Sequence, residues 1–325
     1  MSRFVTLCLS AAFALLGCGP AGAQSPAAFP DRPIRLVLAF GPGGLADITF
    51  RLVAEKLTGL VGKQVVVENQ PGAGGVTAAS TVMKAAPDGH TLLVLTNGTA
   101  ISKSLFKNLP FDPVKDFAPV SLVAYFDIVI VTSPESKYQT LGDLLAAARS
   151  SPGKLNFGTI NPGSTQNLSA ELFRSTAGID VVIVPFRTSP DAATALMGGN
   201  LDAVFESYTA LKPLVAARKL RALATTGSKR SVYLPELPTV KEAGVPTYEV
   251  TGWNALGAPA GTPPEIIAIL NRHVNTVVAM PDFRQRLLEF GNEAYGGTPE
   301  ELRRQLVNDI AKWEAVIKQA GIPQQ

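Results

Sequence analysis

The chain has 325 residues, 46% of them hydrophobic and 17% charged, with Lys+Arg 29 against Asp+Glu 26. That much apolar surface excludes a disordered chain, and a net charge of +3 without a basic block argues against a nucleic-acid partner. The length exceeds what one hydrophobic core usually organises, so two domains are expected.

In chain order, Arg3, the apolar run Phe4 to Leu16 and the small residues Ala21-Gly22-Ala23 read as an export signal over 1–23. Leu15-Leu16-Gly17-Cys18 offers a competing reading, a lipobox with Cys18 as the lipidated mature N-terminus, although Leu16 is unusual at the second place of that motif. Both cysteines, Cys8 and Cys18, lie within this segment. The body then has neither a disulfide nor a thiolate nucleophile. No later segment reaches the about 18 uncharged apolar residues that a membrane-spanning helix needs. These features are expected of a protein exported to an oxidising compartment.

From Pro33 onward, short β-branched runs alternate with amphipathic stretches, the pattern of α/β layers with parallel strands. Ile34 to Phe40 reads as a buried strand, followed by the turn Gly41-Pro42-Gly43-Gly44. A helix then puts Phe50, Val53, Leu57, Leu60 and Val61 on one face and stops at Gly62. Strands are predicted at 64–68 and 91–95, ending in Asn69 to Gly75 and Thr96-Asn97-Gly98-Thr99. A second unit has strands at 129–132, 155–158, 180–186, 202–206 and 220–225. Within it, Asn161-Pro162-Gly163-Ser164-Thr165 opens a helix, and Ser189-Pro190-Asp191 opens another with Ser189 as its cap. From Pro263 the tail is helical, and Thr298-Pro299-Glu300-Glu301 forms a capping box before a long helix carrying Trp313.

Four Gly- or Asn-rich turns, at 41–44, 72–75, 97–98 and 161–164, therefore follow strands at the carboxyl edge, where open α/β sheets bind ligands. Gly41 to Ala46 also fits G-x-G-x-x-A, a dinucleotide fingerprint. Against that, Pro42 removes an N–H from the turn and Glu68 lies beyond the roughly 20-residue spacing. Anion capture by free N–H groups at a helix start suits the loop better. For enzymes the inventory is thin: His90 and His273 are far apart, and no H-E-x-x-H, G-x-S-x-G, S-x-x-K or P-loop occurs. Of the aromatics Phe40, Phe126, Tyr208 and Trp253, Phe40 directly precedes the loop and is the expected ligand contact.

The runs Phe29-Pro30-Asp31-Arg32-Pro33-Ile34-Arg35, Phe40 to Gly44 with Asp47, and Val67-Glu68-Asn69-Gln70-Pro71-Gly72-Ala73-Gly74-Gly75 resemble the Bug, or TctC-like, family. These are the periplasmic substrate-binding proteins of tripartite tricarboxylate transporters. The likeness continues through Asp112-Pro113-Val114-Lys115-Asp116-Phe117, Gly163-Ser164-Thr165, Leu237-Pro238-Thr239-Val240 and Ala258 to Pro263, over nearly the whole chain. It implies a two-lobed, type II-like periplasmic binding protein fold, α/β, each lobe a mostly parallel sheet flanked by helices, with the ligand cleft between the lobes. The crossings are expected near Leu122 to Ala124 and Ala224 to Gly227, giving one domain of 24–123 plus 227–325 and another of 124–226.

The resemblance implies ligand capture without catalysis or cofactor, by a monomer that delivers a small organic anion, expected to be a carboxylate, to membrane permease subunits. The candidate ligand contacts are Phe40, Gly41, Gly43, Gly44, Asp47, Gly74, Gly75, Thr96, Asn97, Gly163, Ser164, Thr165, Gln166, Arg187 and Glu206. Asp47 either stabilises its helix start or shapes the ligand loop. The family often has His at Asn167, Lys at Arg187 and Asp at Glu206. Here Arg187 offers a carboxylate a planar fork, and Glu206 would favour a ligand that also bears a cation or hydroxyl. Two alternatives stay open on sequence: a sensory protein presenting ligand to a signalling receptor, and an exported α/β enzyme.

Overall fold

The computed structural model describes residues 29–319 and 321–325; the export signal, its cleavage site and Cys18 lie outside the described residues. β1 (Ile34–Leu38) leads into α1 (Leu45–Val61), and β2 (Val65–Asn69) into a 3₁₀ turn (Ala73–Gly75) and α2 (Val76–Met83). β3 (Thr91–Thr96) leads into α3 (Asn97–Leu105), then β4 (Phe117–Thr132), α4 (Leu141–Ser150) and β5 (Asn156–Ile160) follow. α5 (Thr165–Thr176), β6 (Val182–Phe186), α6 (Ser189–Met197), β7 (Ala203–Ser207), α7 (Tyr208–Ala216) and β8 (Arg221–Thr225) complete the second unit. The chain ends with β9 (Thr251–Pro259), α8 (Pro264–Ala279), α9 (Pro281–Glu289), β10 (Asn292–Ala294) and α10 (Pro299–Gln319).

The strands run in the order β2-β1-β3-β9-β4-β7-β5-β6, with β8 and β10 also paired to β4. The pairs β1–β2, β1–β3, β5–β6 and β5–β7 are parallel, as the alternating pattern implies. At the centre, β4 and β9 run antiparallel to their neighbours. β9 and β10 carry no strand expectation from the sequence: β9 is a continuous buried run whose period does not separate strand from helix, and β10 has three residues.

β4 is the spine of both lobes. From Phe117 to Asp127 it pairs with β9, and from Ile128 it pairs with β7 and β8. A register shift lies between Leu122 and Ala124, at the expected crossing, but the exchange of partners comes later, at Asp127/Ile128. The return is later as well. Thr226 donates its N–H to Ile128 O, and Tyr248 packs against Phe173 at 5.7 Å and donates its hydroxyl to Ser169 O at 3.0 Å. Val250 N donates to Thr226 O at 2.9 Å, and β9 begins at the next residue.

Three apolar clusters hold this arrangement. One lies under α2, α3 and α10 in the first lobe and α4 and α5 in the second, continuous through Phe126, Ile128 and Ile130 of β4. The others lie on the opposite face, under α1, α8 and α9 in one lobe and under α6 and α7 in the other. α10 carries the predicted capping box: Thr298 N donates to Glu301 Oε2 at 2.7 Å and Glu301 N to Thr298 Oγ1 at 3.1 Å. α1 ends at Gly62 with φ 66, as read, although Leu60 turns out to solvent rather than to the core.

Candidate functional site

Three helix starts meet where the lobes face each other. β1 delivers Phe40 to Gly44 to the start of α1, β5 delivers Asn161 to Ser164 to α5, and β6 delivers Arg187 and Thr188 to α6. α1 begins at Gly44 with no side-chain cap, so its first-turn N–H groups carry the positive helix end without an internal acceptor. α5 is capped by Ser164, whose Oγ accepts from Asn167 N at 3.1 Å. α6 is capped by Thr188, which accepts from Asp191 N at 3.2 Å; Ser189, the cap expected from sequence, is the first helical residue instead.

Asp47 is the frame of the first loop. Its carboxylate accepts from Gly43 N at 3.0 Å, Arg51 Nε at 3.0 Å and Asn69 Nδ2 at 3.0 Å, and Asn69 Nδ2 also donates to Phe40 O at 3.0 Å. Burial pushes its carboxyl up, but hydrogen bonds from Arg51, Gly43 and Asn69 outweigh this and hold it below the usual range. It is ionised, and Arg51 offsets its charge. Glu206, at the end of β7, is fully buried. Its Oε1 accepts from Gln166 Nε2 at 2.7 Å and Ser207 N at 2.6 Å, while Oε2 has no partner. Burial pushes this carboxyl up, against the pull of those hydrogen bonds.

The lobes touch through glycine. A Cβ on Gly41 would stand 2.6 Å from Thr188 Cγ2 across the cleft, and one on Gly98 would stand 2.9 Å from Gly163 O. Side chains there would hold the lobes apart. The cleft between these contacts has a volume of about 410 Å³. Phe40, Gly41, Gly44, Thr96, Thr165, Gln166 and Arg187, all expected from sequence, line it. A second recess of about 320 Å³ shares Phe40 and Thr96 and is lined by Gly74, Gly75, Gly163 and Ser164.

Four of the expected contacts do not reach either recess. Gly43 and Asp47 are bonded to each other behind the loop, and Glu206 stands behind Gln166. Asn97 accepts from Trp253 N at 2.6 Å and donates to Asp309 Oδ2 at 3.1 Å, tying α3 to β9 and α10. Ser164 lines the smaller recess, but its hydroxyl is spent on Asn167 N and Ile160 O.

Other residues that were not among the expected ligand contacts join the site. Asn254 of β9 is 1% exposed and lines the larger recess, and neither its Nδ2 nor its Oδ1 has a partner. Asn161 Nδ2 in the smaller recess is also unpaired. Such groups cost about 1–3 kcal/mol each unless something meets them. The available signal was Asn254 itself, one amide inside the buried apolar run Trp253 to Ala258. Thr188, Ser189, Phe126 and Ile160 complete the walls. Tyr208 and Trp253 are core. His90 lies at the opposite, amino edge of the sheet, with Nδ1 3.1 Å from Asp88 Oδ1 and Nε2 3.1 Å from Asp31 Oδ1.

Residues 49–322 match the tripartite tricarboxylate transporter family receptor. The chain belongs to this family of periplasmic receptors. It is similar to protein BugT of Bordetella pertussis, 34% identical over 305 residues, 93% of this chain and 94% of that relative. Among solved structures it resembles Rpa4515 of Rhodopseudomonas palustris with adipate, TM-score 0.88 and 36% identity, covering 91% of this chain and 99% of that one. It also resembles MatC from Rhodopseudomonas palustris with bound malate, TM-score 0.84 and 32% identity, covering 89% of this chain and 100% of that one. Among the described residues no helix is long and apolar enough to cross a membrane.

Proposed function

We propose that this receptor is exported by its 1–23 signal, captures a small organic carboxylate between its lobes, and presents it to the membrane permease subunits of a tripartite transporter. The observation that carries the reading is the convergence of the α1, α5 and α6 starts on one cleft that also holds the unpaired amide of Asn254. Helix starts favour a carboxylate through N–H groups and dipoles without a dedicated cation. Arg187 is the cation at the cleft and supplies a fork for a second oxygen pair. Asn254 matches a ligand group that donates or accepts, such as the hydroxyl of a hydroxy acid. The two recesses sharing Phe40 and Thr96 suit an anion with two polar ends.

The work is differential affinity: ligand bound by both lobes favours the closed arrangement seen here. The strand exchanges at Asp127/Ile128 and Val250/Thr251 are the proposed hinge. Calorimetric titration with adipate, malate, citrate and their methyl esters tests the reading. Binding of at least one acid, lost on esterification, is expected. Equal binding of acid and ester, or binding of sugars alone, would overturn it.

A further inference from the structure

A second cavity lies at the hinge itself, outside the ligand cleft. Its walls are Tyr125 to Asp127 of β4, the loop 228–233 after β8, Thr251 at the start of β9, and Leu288, Gly291 and Glu293 around α9 and β10. Its volume is about 680 Å³, and its mouth is open to solvent. Phe126 lines both spaces. The walls come from both lobes, since Tyr233 stacks on Tyr208 of α7 at 5.3 Å while Glu293 pairs in register with Tyr125.

Two polar groups on the walls, the Asp127 carboxylate and the Tyr233 hydroxyl, lack a full set of partners, while Ser228, Lys229, Arg230 and Ser231 line the loop side. Asp127 Oδ1 accepts from Thr251 Oγ1 at 3.3 Å, and among the described residues no donor serves Oδ2. The Tyr233 hydroxyl is buried and makes no hydrogen bond of ordinary geometry, although the Ser231 hydroxyl and the Asp127 N–H lie near it. Burial, opposed by the Thr251 bond and reinforced by the fields of Glu249 and Glu293, pushes the Asp127 carboxyl up to about 6. The cations nearby are mostly committed elsewhere: Arg230 donates to Glu242 at 2.8 Å and to Pro235 O at 3.3 Å, and Lys241 pairs with Glu249. Lys229 sits exposed at the rim. Tyr125, Phe126, Tyr233, Val232 and Leu288 supply the apolar and π-rich remainder. Aromatic residues beside one half-buried carboxylate suit an organic ammonium, whereas a hard metal ion prefers several oxygen ligands.

We propose that the hinge cavity is a second binding site, for a small organic ammonium ion whose charged end meets Asp127 and Tyr233 and whose hydrocarbon body lies against Tyr125 and Phe126. The occupant touches both lobes, and through Phe126 it shares a wall with the ligand cleft.

The probe is n-butylammonium chloride, with sodium n-butyrate as the control of equal size and opposite charge, at matched ionic strength and pH 8. Saturation-transfer NMR on the purified protein should show transfer to butylammonium and at least fivefold less to butyrate. Asp127→Asn should cut the butylammonium signal at least fivefold and Tyr233→Phe about threefold, while Asn254→Ala in the cleft should leave it unchanged. Should Asp127→Asn fail to fold, Tyr233→Phe carries the test, since it removes one oxygen and keeps the stacked ring. Equal transfer to butyrate, no transfer at all, or a signal lost in Asn254→Ala but not in the hinge variants would overturn the proposal.

Discussion

Two buried acids back the two faces of the cleft, and they are treated in opposite ways. Asp47, behind the first lobe's loop, is satisfied by a backbone N–H, an amide and a guanidinium, and is held ionised. Glu206, behind the second lobe's wall, has one oxygen doubly bonded and the other empty, with no cation among its hydrogen-bond partners. One acid is a rigid strut whose loss opens a network. The other is a carboxylate that burial pushes toward its neutral form, useful chiefly for aiming Gln166.

The largest effect should come from breaking the strut. Asp47→Ala strands Gly43 N and removes the acceptor shared by Asn69 and Arg51, and should cost about 2 kcal/mol in a urea titration together with most ligand affinity. A loss below about 1 kcal/mol would mean the loop holds its shape without the network. Next, Gly41→Ala should weaken ligand binding about 30-fold, roughly 2 kcal/mol, with little change in melting temperature, because the added methyl meets Thr188 Cγ2 only when the lobes close. Pairing it with Thr188→Ser removes that contact, keeps the capping hydroxyl and should restore part of the affinity.

Asn254→Ala should reduce affinity about tenfold while leaving the unliganded protein as stable or slightly more so, since an unpaired buried amide is removed. The smallest effect is expected at Glu206. A buried acid whose folded pKa is raised binds protons more tightly in the native state. Its ionisation therefore removes stability as pH rises from the unfolded value, near 4.3, through the folded one. Glu206→Gln should flatten that part of the stability profile, so the variant gains on the wild type toward pH 8. An unchanged pH profile would mean that Glu206 titrates as an ordinary carboxyl.

Much of the site was legible because helix starts and tight turns are local. Gly41, Gly44, Gly74, Gly75 and Gly163 to Gln166 reach the two recesses through the strand–turn–helix order that their own residues impose. The same locality misled at Asn97 and Glu206. Each ends a strand at the correct edge, yet one is bonded to Trp253 and Asp309, more than 150 positions away in the chain, and the other lies beneath Gln166. Asn254 was missed for the converse reason: it stands inside an apolar strand, and only the pairing of β9 with β3 and β4 brings it to the cleft.

By itself, then, the sequence determined the alternation of strands and amphipathic helices, the positions of the ligand loops and the family. The first two depend on periodicity, capping and turn residues within a few positions of one another, and the third on motif runs such as Phe40 to Gly44 and Val67 to Gly75 that resemble the family's. The tertiary structure alone decided where β4 changes partners, that Asp47 and Glu206 are both bonded behind the cleft walls, and that a cavity lies beside that exchange. Each of these is set by segments such as Asp127, Tyr233, Thr251 and Glu293, which are distant in the chain and meet only when β4 and β9 pair.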